Sequence, residues 1–138
     1  MAGEAPFRYA ALSGTVPSIT AAGTFYAVGN ATTGVKLPGG QGGRLAELSC
    51  FSTTTVDTSG TSITVTAYKN SVNAANQCFQ VTLDIDGVSD ESGTTTTVVD
   101  SGMDSLGASD TLFLEYVVAG TTFTVLDFNW TLSYAVDY

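Results

Sequence analysis

Apolar and polar residues alternate with a period of two along much of the chain after residue 44. Segment 62–69 shows this most clearly, with a predicted inward face of Ile63, Val65 and Ala67 and a predicted outward face of Thr64, Thr66 and Tyr68. Successive side chains of a strand point to opposite sides, so this period predicts a half-buried strand. The same pattern predicts further strands at 44–52, 78–85, 94–99, 110–118, 122–126 and 128–136.

The spacing of these segments predicts the fold class. Turn-forming Gly, Asn and Asp residues separate them, for example at Asp86-Gly87, and no stretch of ten residues shows the apolar period of a helix. Short strands at such regular intervals favour an all-β fold. We therefore expect an antiparallel β-sandwich of the jelly-roll type.

The first 43 residues have a different character. They contain all three prolines, and four of the five residues at 39–43 are glycine. Short apolar pieces at 7–9 and 24–28 are separated by Gly and Thr. This composition predicts an extended N-terminal arm over residues 1–43, with one or two short strands, ahead of a sandwich over residues 44–138. An arm of this kind is expected to be dispensable for folding.

Composition agrees with a single β domain. Hydrophobic residues make up 43% of the 138 residues and charged residues only 12%, while Thr and Gly are abundant. Threonine favours strands and glycine favours turns. No apolar run is long enough to span a membrane, and the N-terminus lacks the cationic and apolar pieces of a secretion signal. We expect no membrane partner and a reducing site of synthesis.

The absence of histidine removes several chemistries. Catalytic Ser-His and Cys-His pairs and histidine-based metal sites are impossible. Catalysis by carboxylates, or by Ser with Lys, stays open, but the chain is expected to be a binding or structural protein, not an enzyme, and to need no cofactor. Cys50 and Cys78 are expected to be buried thiols, and the pattern leaves a disulfide between them open.

The net charge of −9 is unevenly distributed. Residues 1–50 carry two acidic and three basic residues, whereas residues 51–138 carry eleven acidic residues and one lysine. An acidic body argues against a nucleic-acid partner, because phosphate contacts need clustered Lys and Arg. Two interpretations remain: a solubilising acidic surface, or a weakly basic N-terminal third that docks on a partner.

Three groups of residues invite a site hypothesis. Acidic segment 84–91 lacks the ligand order of a calcium loop, and an exposed loop is the favoured interpretation. Asp104 and Asp110 are a conceivable glycosidase pair, but their loop is better explained as a solvated turn. Trp130 and Tyr134 share one face of a strand, about 13 Å apart. They are predicted to lie in the core or at a subunit interface, and a sugar-stacking platform is the alternative.

The order of features after residue 44 resembles small jelly-roll modules of bacteriophage virions, which are similar in shape to the trimeric tumour necrosis factor-like jelly roll. The resemblance is carried by strand 63–70, a turn, strand 79–83, the polar segment 88–99, a Gly- and Asp-containing loop, strand 112–117 and the closing strand 128–136. The chain departs from the pattern in its long loop at 100–109 and in the bulky Tyr116.

The resemblance implies a structural virion protein that forms a homotrimer. A capsid decoration (cement) protein, synthesised in the host cytoplasm and bound to the major capsid protein on the capsid surface, is favoured because the chain has no room for a fibre shaft. A tail or head fibre module that recognises host glycans is the alternative. The expected contacts of the arm with capsid or subunits are Phe7, Arg8, Tyr9, Lys36 and Arg44, and the possible trimer interface contains Trp130 and Tyr134.

Overall fold

The computed structural model of the chain describes residues 8–38, 41–54, 61–85, 90–120 and 126–136. In these ranges the backbone forms strands and connecting turns, and no helix is long and apolar enough to cross a membrane. The strands are β1 (Arg8–Ile19), β2 (Gly23–Val28), β3 (Gly43–Thr54), β4 (Ser62–Lys69), β5 (Gln77–Asp84), β6 (Asp90–Thr95), β7 (Ser105–Leu106), β8 (Leu112–Ala119) and β9 (Leu126–Val136).

The strands form two antiparallel sheets that pack face to face. The first sheet has the order β1-β9-β3-β6, with the short β7 also paired to β3, and the second sheet has the order β2-β8-β4-β5. Most connections cross from one sheet to the other, and β4–β5 is a hairpin within the second sheet. This topology is a jelly roll. The prediction of an all-β antiparallel sandwich is confirmed.

The core fills the space between the sheets. The predicted inward face of β4 is confirmed, since Ile63, Val65 and Ala67 are fully buried. Three rings link the sheets at one end of the core. Phe25 stacks on Tyr116 with ring centroids 5.4 Å apart, and Tyr116 contacts Phe128 at 5.3 Å.

Residues 8–28 belong to the sandwich. Strand β1 pairs with β9 from Arg8 to Ile19, and β2 pairs with β8. The predicted arm over 1–43, ahead of a sandwich over 44–138, is therefore not what residues 8–28 form, since they are strands of the two sheets. That residues 1–43 are dispensable for folding stays an untested prediction.

The sequence hides this alternation in β1 for a physical reason. The inward positions of β1 include Ala10 and Gly14, whose apolar signal is weak, and a bulge between Val16 and Ile19 carries Pro17. Gly14 lies opposite Trp130, and a Cβ atom there would lie 2.8 Å from the indole Nε1. Glycine at this position gives the indole room to pack on the backbone of β1.

The remaining strand predictions differ from the structure in detail. The predicted strand 94–99 begins and ends earlier, as β6, because the chain then crosses to the second sheet. There the backbone N–H groups of Val99 and Asp100 donate to the carbonyls of Cys78 and Gln77. Strand β7, of two residues, was not predicted. The predicted Asp86-Gly87 turn and residues 122–125 of the predicted strand 122–126 lie outside the described residues, and Leu126 is the first residue of β9.

Candidate docking surface

Trp130 and Tyr134 lie in the core of the protomer. Their exposed fractions are 6% and 3%, and both belong to the main apolar cluster between the sheets. The possible trimer interface at these residues is therefore wrong, and so is the alternative of a sugar-stacking platform. The core interpretation of this aromatic row is the one that the structure supports.

Tyr9 and Arg44 lie close together on the outer face of the first sheet, although 35 positions separate them in the chain. Both are paired with Ala135, which stands on β9 between them. Neighbouring strands are about 4.8 Å apart, so their Cα atoms are separated by about 10 Å. Tyr9 is 78% exposed, and Arg44 is also exposed.

The short side chain of Ala135 leaves a depression between these two residues. It has a volume of about 580 Å³, and we call it the docking hollow. It is lined by Tyr9, Gly43, Arg44, Leu45, Ala46, Ser105 and Ala135. Tyrosine and arginine are the residue types that contribute most to protein interfaces, because each combines a large contact area with directional hydrogen bonds. The hollow is therefore a candidate docking surface for a protein partner.

Arg44 remains available to such a partner. Its Nε atom lies 3.9 Å from Oδ2 of Asp104, and its side chain is 70% exposed. An ion pair of this length at the surface contributes little and leaves most guanidinium donors in water. The carboxylate of Asp104 therefore leaves the hydrogen-bonding capacity of the arginine largely free.

The structure brings together only some of the other predicted contact residues. Lys36 is exposed, and its neighbour Leu37 is buried against Gly43 at the edge of the hollow. Arg8 begins β1 and pairs with Val136. Phe7 lies outside the described residues. Of the five predicted contact residues, the structure thus unites Tyr9 and Arg44 in one surface.

The outer face of the second sheet carries a cluster that the sequence analysis missed. The phenol groups of Tyr26 and Tyr68 donate hydrogen bonds to the two carboxylate oxygens of Glu115, at 3.2 and 3.3 Å. Beside them, Gln80 donates to the hydroxyl of Thr66 at 3.1 Å. Desolvation, followed by the negative charge of Glu115, raises the pKa of both tyrosines. We call Tyr26, Glu115 and Tyr68 the tyrosine–glutamate cluster.

The acidic residues of the 100–110 loop hold the loop in place. Asp110 accepts hydrogen bonds from Asn70 Nδ2 at 2.9 Å and from the backbone N–H of Gly107 at 2.7 Å. These two hydrogen bonds lower the pKa of Asp110. Because Asp104 faces Arg44 instead, the two aspartates have separate structural partners, as the solvated-turn interpretation expects.

Metal-binding groups do not converge in the part of the chain that the structure describes: no three His, Cys, Asp or Glu side chains there are placed to share an ion. Within the acidic segment 84–91, residues 86–89 lie outside that part. Cys50 and Cys78 are free and buried, as the sequence predicts. Burial raises the pKa of both thiols to about 12, so both are protonated at neutral pH.

Comparison with known proteins gives a match in structure alone. No protein-family model and no curated protein matches the sequence. A chain of the T13 particle of infectious bursal disease virus superposes with a TM-score of 0.54 at 11% identity, covering 96% of this chain and 32% of its own length. The VP2 subviral particle of the same virus gives a TM-score of 0.51 at 9% identity, covering 95% and 33%.

This chain has the jelly-roll fold of viral capsid proteins. It spans about a third of the length of the two bursal disease virus chains. A chain from the cyanophage Pam1 capsid asymmetric unit is similar over 94% of this chain and 86% of its own length, with a TM-score of 0.45 and 17% identity. At these identities the likeness shows the fold, and the function has to be argued from the surfaces.

Proposed function

We propose that the chain is a structural virion protein, a capsid decoration (cement) protein that binds the major capsid protein as a homotrimer on the capsid surface. The observation that carries the proposal is that the chain has the jelly-roll fold found in viral particles. The resemblance of its strand order to bacteriophage virion modules supports the same assignment. A protein of this kind acts by burying interface, not by chemistry.

The docking hollow supplies the contact with the capsid in this proposal. An exposed tyrosine ring and an arginine fork flank a concave surface, which suits a protruding side chain or a carboxylate of the capsid protein. Arg44 and Lys36 are two of only four basic residues in a chain of net charge −9. An acidic patch on the capsid would therefore be attracted to this end of the molecule and repelled by most of the rest.

Three copies explain how small contacts give stable binding. One hollow of this size provides a modest affinity, but once one protomer of a trimer is bound, the other two are held near their sites. Avidity of this kind rises by orders of magnitude without any new contact. A substitution in the docking hollow is present in all three protomers. The proposal thus predicts that it weakens all three contacts of the trimer with the capsid at once.

The test uses virus particles that lack this chain. They are prepared by deleting its gene from a virus that normally carries it. Purified wild-type chain is added back and bound protein is measured after sedimentation of the particles. We expect saturable binding, and at least a tenfold loss for the double variant Tyr9→Ala/Arg44→Ala. The matched control is Gln80→Ala, which removes an exposed side chain from the other sheet and is expected to bind normally. Equal binding by the double variant overturns the assignment of the hollow.

Solution mass tests the trimer separately. Sedimentation equilibrium of the purified chain is expected to give three times the 14.2 kDa of one chain. A mass of one chain at all concentrations contradicts the homotrimer, and the particle assay then decides whether single chains dock on the capsid.

A further inference from the structure

The outer face of the first sheet holds a second depression, away from the docking hollow, around Phe51. Its volume is about 260 Å³, and it is lined by Ser49, Cys50, Phe51, Ser92, Thr94, Asn129, Trp130 and Thr131. Phe51 is 40% exposed, in an outward position between the inward Cys50 and Ser52. An apolar ring in an outward position of a strand is the sequence signal for this site.

The pairing of the strands places Phe51 within a grid of short polar side chains. In its own row across the sheet, Phe51 lies between Asn129 and Ser92, with Thr15 beyond Asn129. The next row of the same face consists of Ser13, Thr131, Ser49 and Thr94. We call these two rows the hydroxyl face. Seven of its eight residues carry a hydroxyl or amide group, and the eighth is Phe51.

Hydrogen bonds between neighbours orient the groups of this face. The Thr15 hydroxyl donates to Oδ1 of Asn129 at 2.7 Å, so Asn129 presents its amide Nδ2 group to a ligand. The Ser49 hydroxyl donates to Oε1 of Glu47 at 3.1 Å, so the Thr94 hydroxyl, 3.0 Å from it, donates to Ser49 and keeps its oxygen free to accept from a ligand. Hydroxyl groups both donate and accept. The face therefore offers donors and acceptors in fixed positions around one aromatic ring.

Charge and polarity restrict what such a face can hold. None of the eight residues that line the depression is charged. A second copy of the chain packed here would bury many hydroxyls with Phe51 as the single large apolar side chain, and buried hydroxyls without partners cost free energy. A ligand that carries its own hydroxyls replaces the lost water. Its C–H groups can also rest on the negative face of the ring.

We propose that the hydroxyl face binds a neutral oligosaccharide, with one sugar ring stacked on Phe51 and its hydroxyls bonded by Asn129, Ser92 and Thr94. The depression lies near the lower limit of small-molecule sites, so it takes one or two sugar rings, with further rings along the rows. This site is separate from the docking hollow, and it stands or falls independently of the proposed capsid role.

The test begins with an array of immobilised neutral and sialylated oligosaccharides probed with the full chain. The strongest neutral oligosaccharide is then titrated in solution by calorimetry against the wild type, Phe51→Ala and Asn129→Asp. Binding to neutral glycans is expected, with at least a tenfold higher Kd for each variant. The matched control is Val99→Ala, which removes another exposed apolar side chain and is expected to leave the Kd unchanged.

The glycan site is overturned by the absence of binding to the array, by binding to sialylated glycans alone, or by equal binding of Phe51→Ala and the wild type. A trimer that dissociates on Phe51→Ala also overturns it, because the face is then a contact between copies. Thermal unfolding of each variant confirms that it is folded. Tyr9→Ala/Arg44→Ala is expected to keep full glycan binding, so failure of the capsid proposal is distinguished from failure of this one.

Discussion

The two outer faces of the sandwich meet solvent in opposite ways. The first sheet presents mostly short side chains beside the exposed Arg44, two open depressions of about 580 and 260 Å³, and exposed aromatic rings at Tyr9 and Phe51. The second sheet presents long side chains that bond to one another, with Glu115 accepting from both Tyr26 and Tyr68. One face has groups available for a partner, whereas the other has largely satisfied its own.

The difference shows that side chains on the outer face of a sheet can be buried although no second sheet or helix packs on that face. Thr66 and Tyr68 point away from the core, yet they are only 2% and 8% exposed, because neighbouring side chains on the same face cover them. A polar network that is satisfied in this way stabilises the protein and offers little to a ligand. This contrast is the reason that we propose binding surfaces on the first sheet and expect the polar network of the second sheet to contribute mainly to stability.

The largest expected effect tests whether β1 and β2 are structural parts of the two sheets. Removing residues 1–28 deletes both strands, leaves edges of β9 and β8 unpaired and removes Leu12, Val16 and Phe25 from the periphery of the core. The lost packing exceeds the stability of a typical domain, about 5–15 kcal/mol. We expect no cooperative unfolding transition by circular dichroism. Removing residues 1–7 is the control, and a cooperative fold of the longer deletion contradicts the account.

The next effect separates the two sides of the first sheet. Trp130→Ala is expected to lower the free energy of unfolding by about 3–5 kcal/mol, because a buried indole leaves a cavity. Phe51→Ala, on the outer side of the same sheet, is expected to lower it by less than about 1 kcal/mol. Urea unfolding measures both. Equal losses, or a Trp130→Ala variant that keeps its stability but loses its oligomeric state, contradict the placement of Trp130 in the core.

A smaller effect concerns the tyrosine–glutamate cluster. In the unfolded chain, both tyrosines ionise near pH 10. In the folded protein their pKa values are raised, so both phenols are still protonated at that pH. Their contribution to stability is therefore complete below pH 10 and is lost as the pH rises through the folded values.

Glu115→Gln removes the negative charge and is expected to lower the pKa of both tyrosines. Ultraviolet titration of tyrosinate follows this directly, and both proteins carry the same buried thiols, which titrate in the same alkaline range. If the tyrosine titration of the variant is unchanged, the charge of Glu115 does not raise the pKa of Tyr26 and Tyr68.

The smallest effect is expected at the docking hollow. Asp104→Asn removes the surface partner of Arg44 and is expected to change the free energy of unfolding by less than about 1 kcal/mol. Capsid binding is expected to persist, because the arginine keeps its donors. A large loss of stability in chemical unfolding shows that the 3.9 Å pair is more than a surface contact.

The sequence predicts strands well and neighbours across strands poorly. Strand β4 and its inward face follow from alternation, since one period fixes one face. The closeness of Tyr9 and Arg44 depends on the register of β9 between them, which no local pattern contains. Trp130 is an aromatic in an alternating strand, and alternation cannot say whether its face meets the other sheet or another subunit. The burial of Trp130 in the apolar cluster between the two sheets decides it.

The amount of this chain in virus particles tests the central claim most directly. Particles from a culture that carries the gene are purified on a density gradient, and the chain is quantified against the major capsid protein by mass spectrometry. The account predicts a fixed ratio that does not vary between preparations and that falls at least tenfold for Tyr9→Ala/Arg44→Ala. A chain that stays in the soluble fraction, with traces at most in the particles, contradicts it.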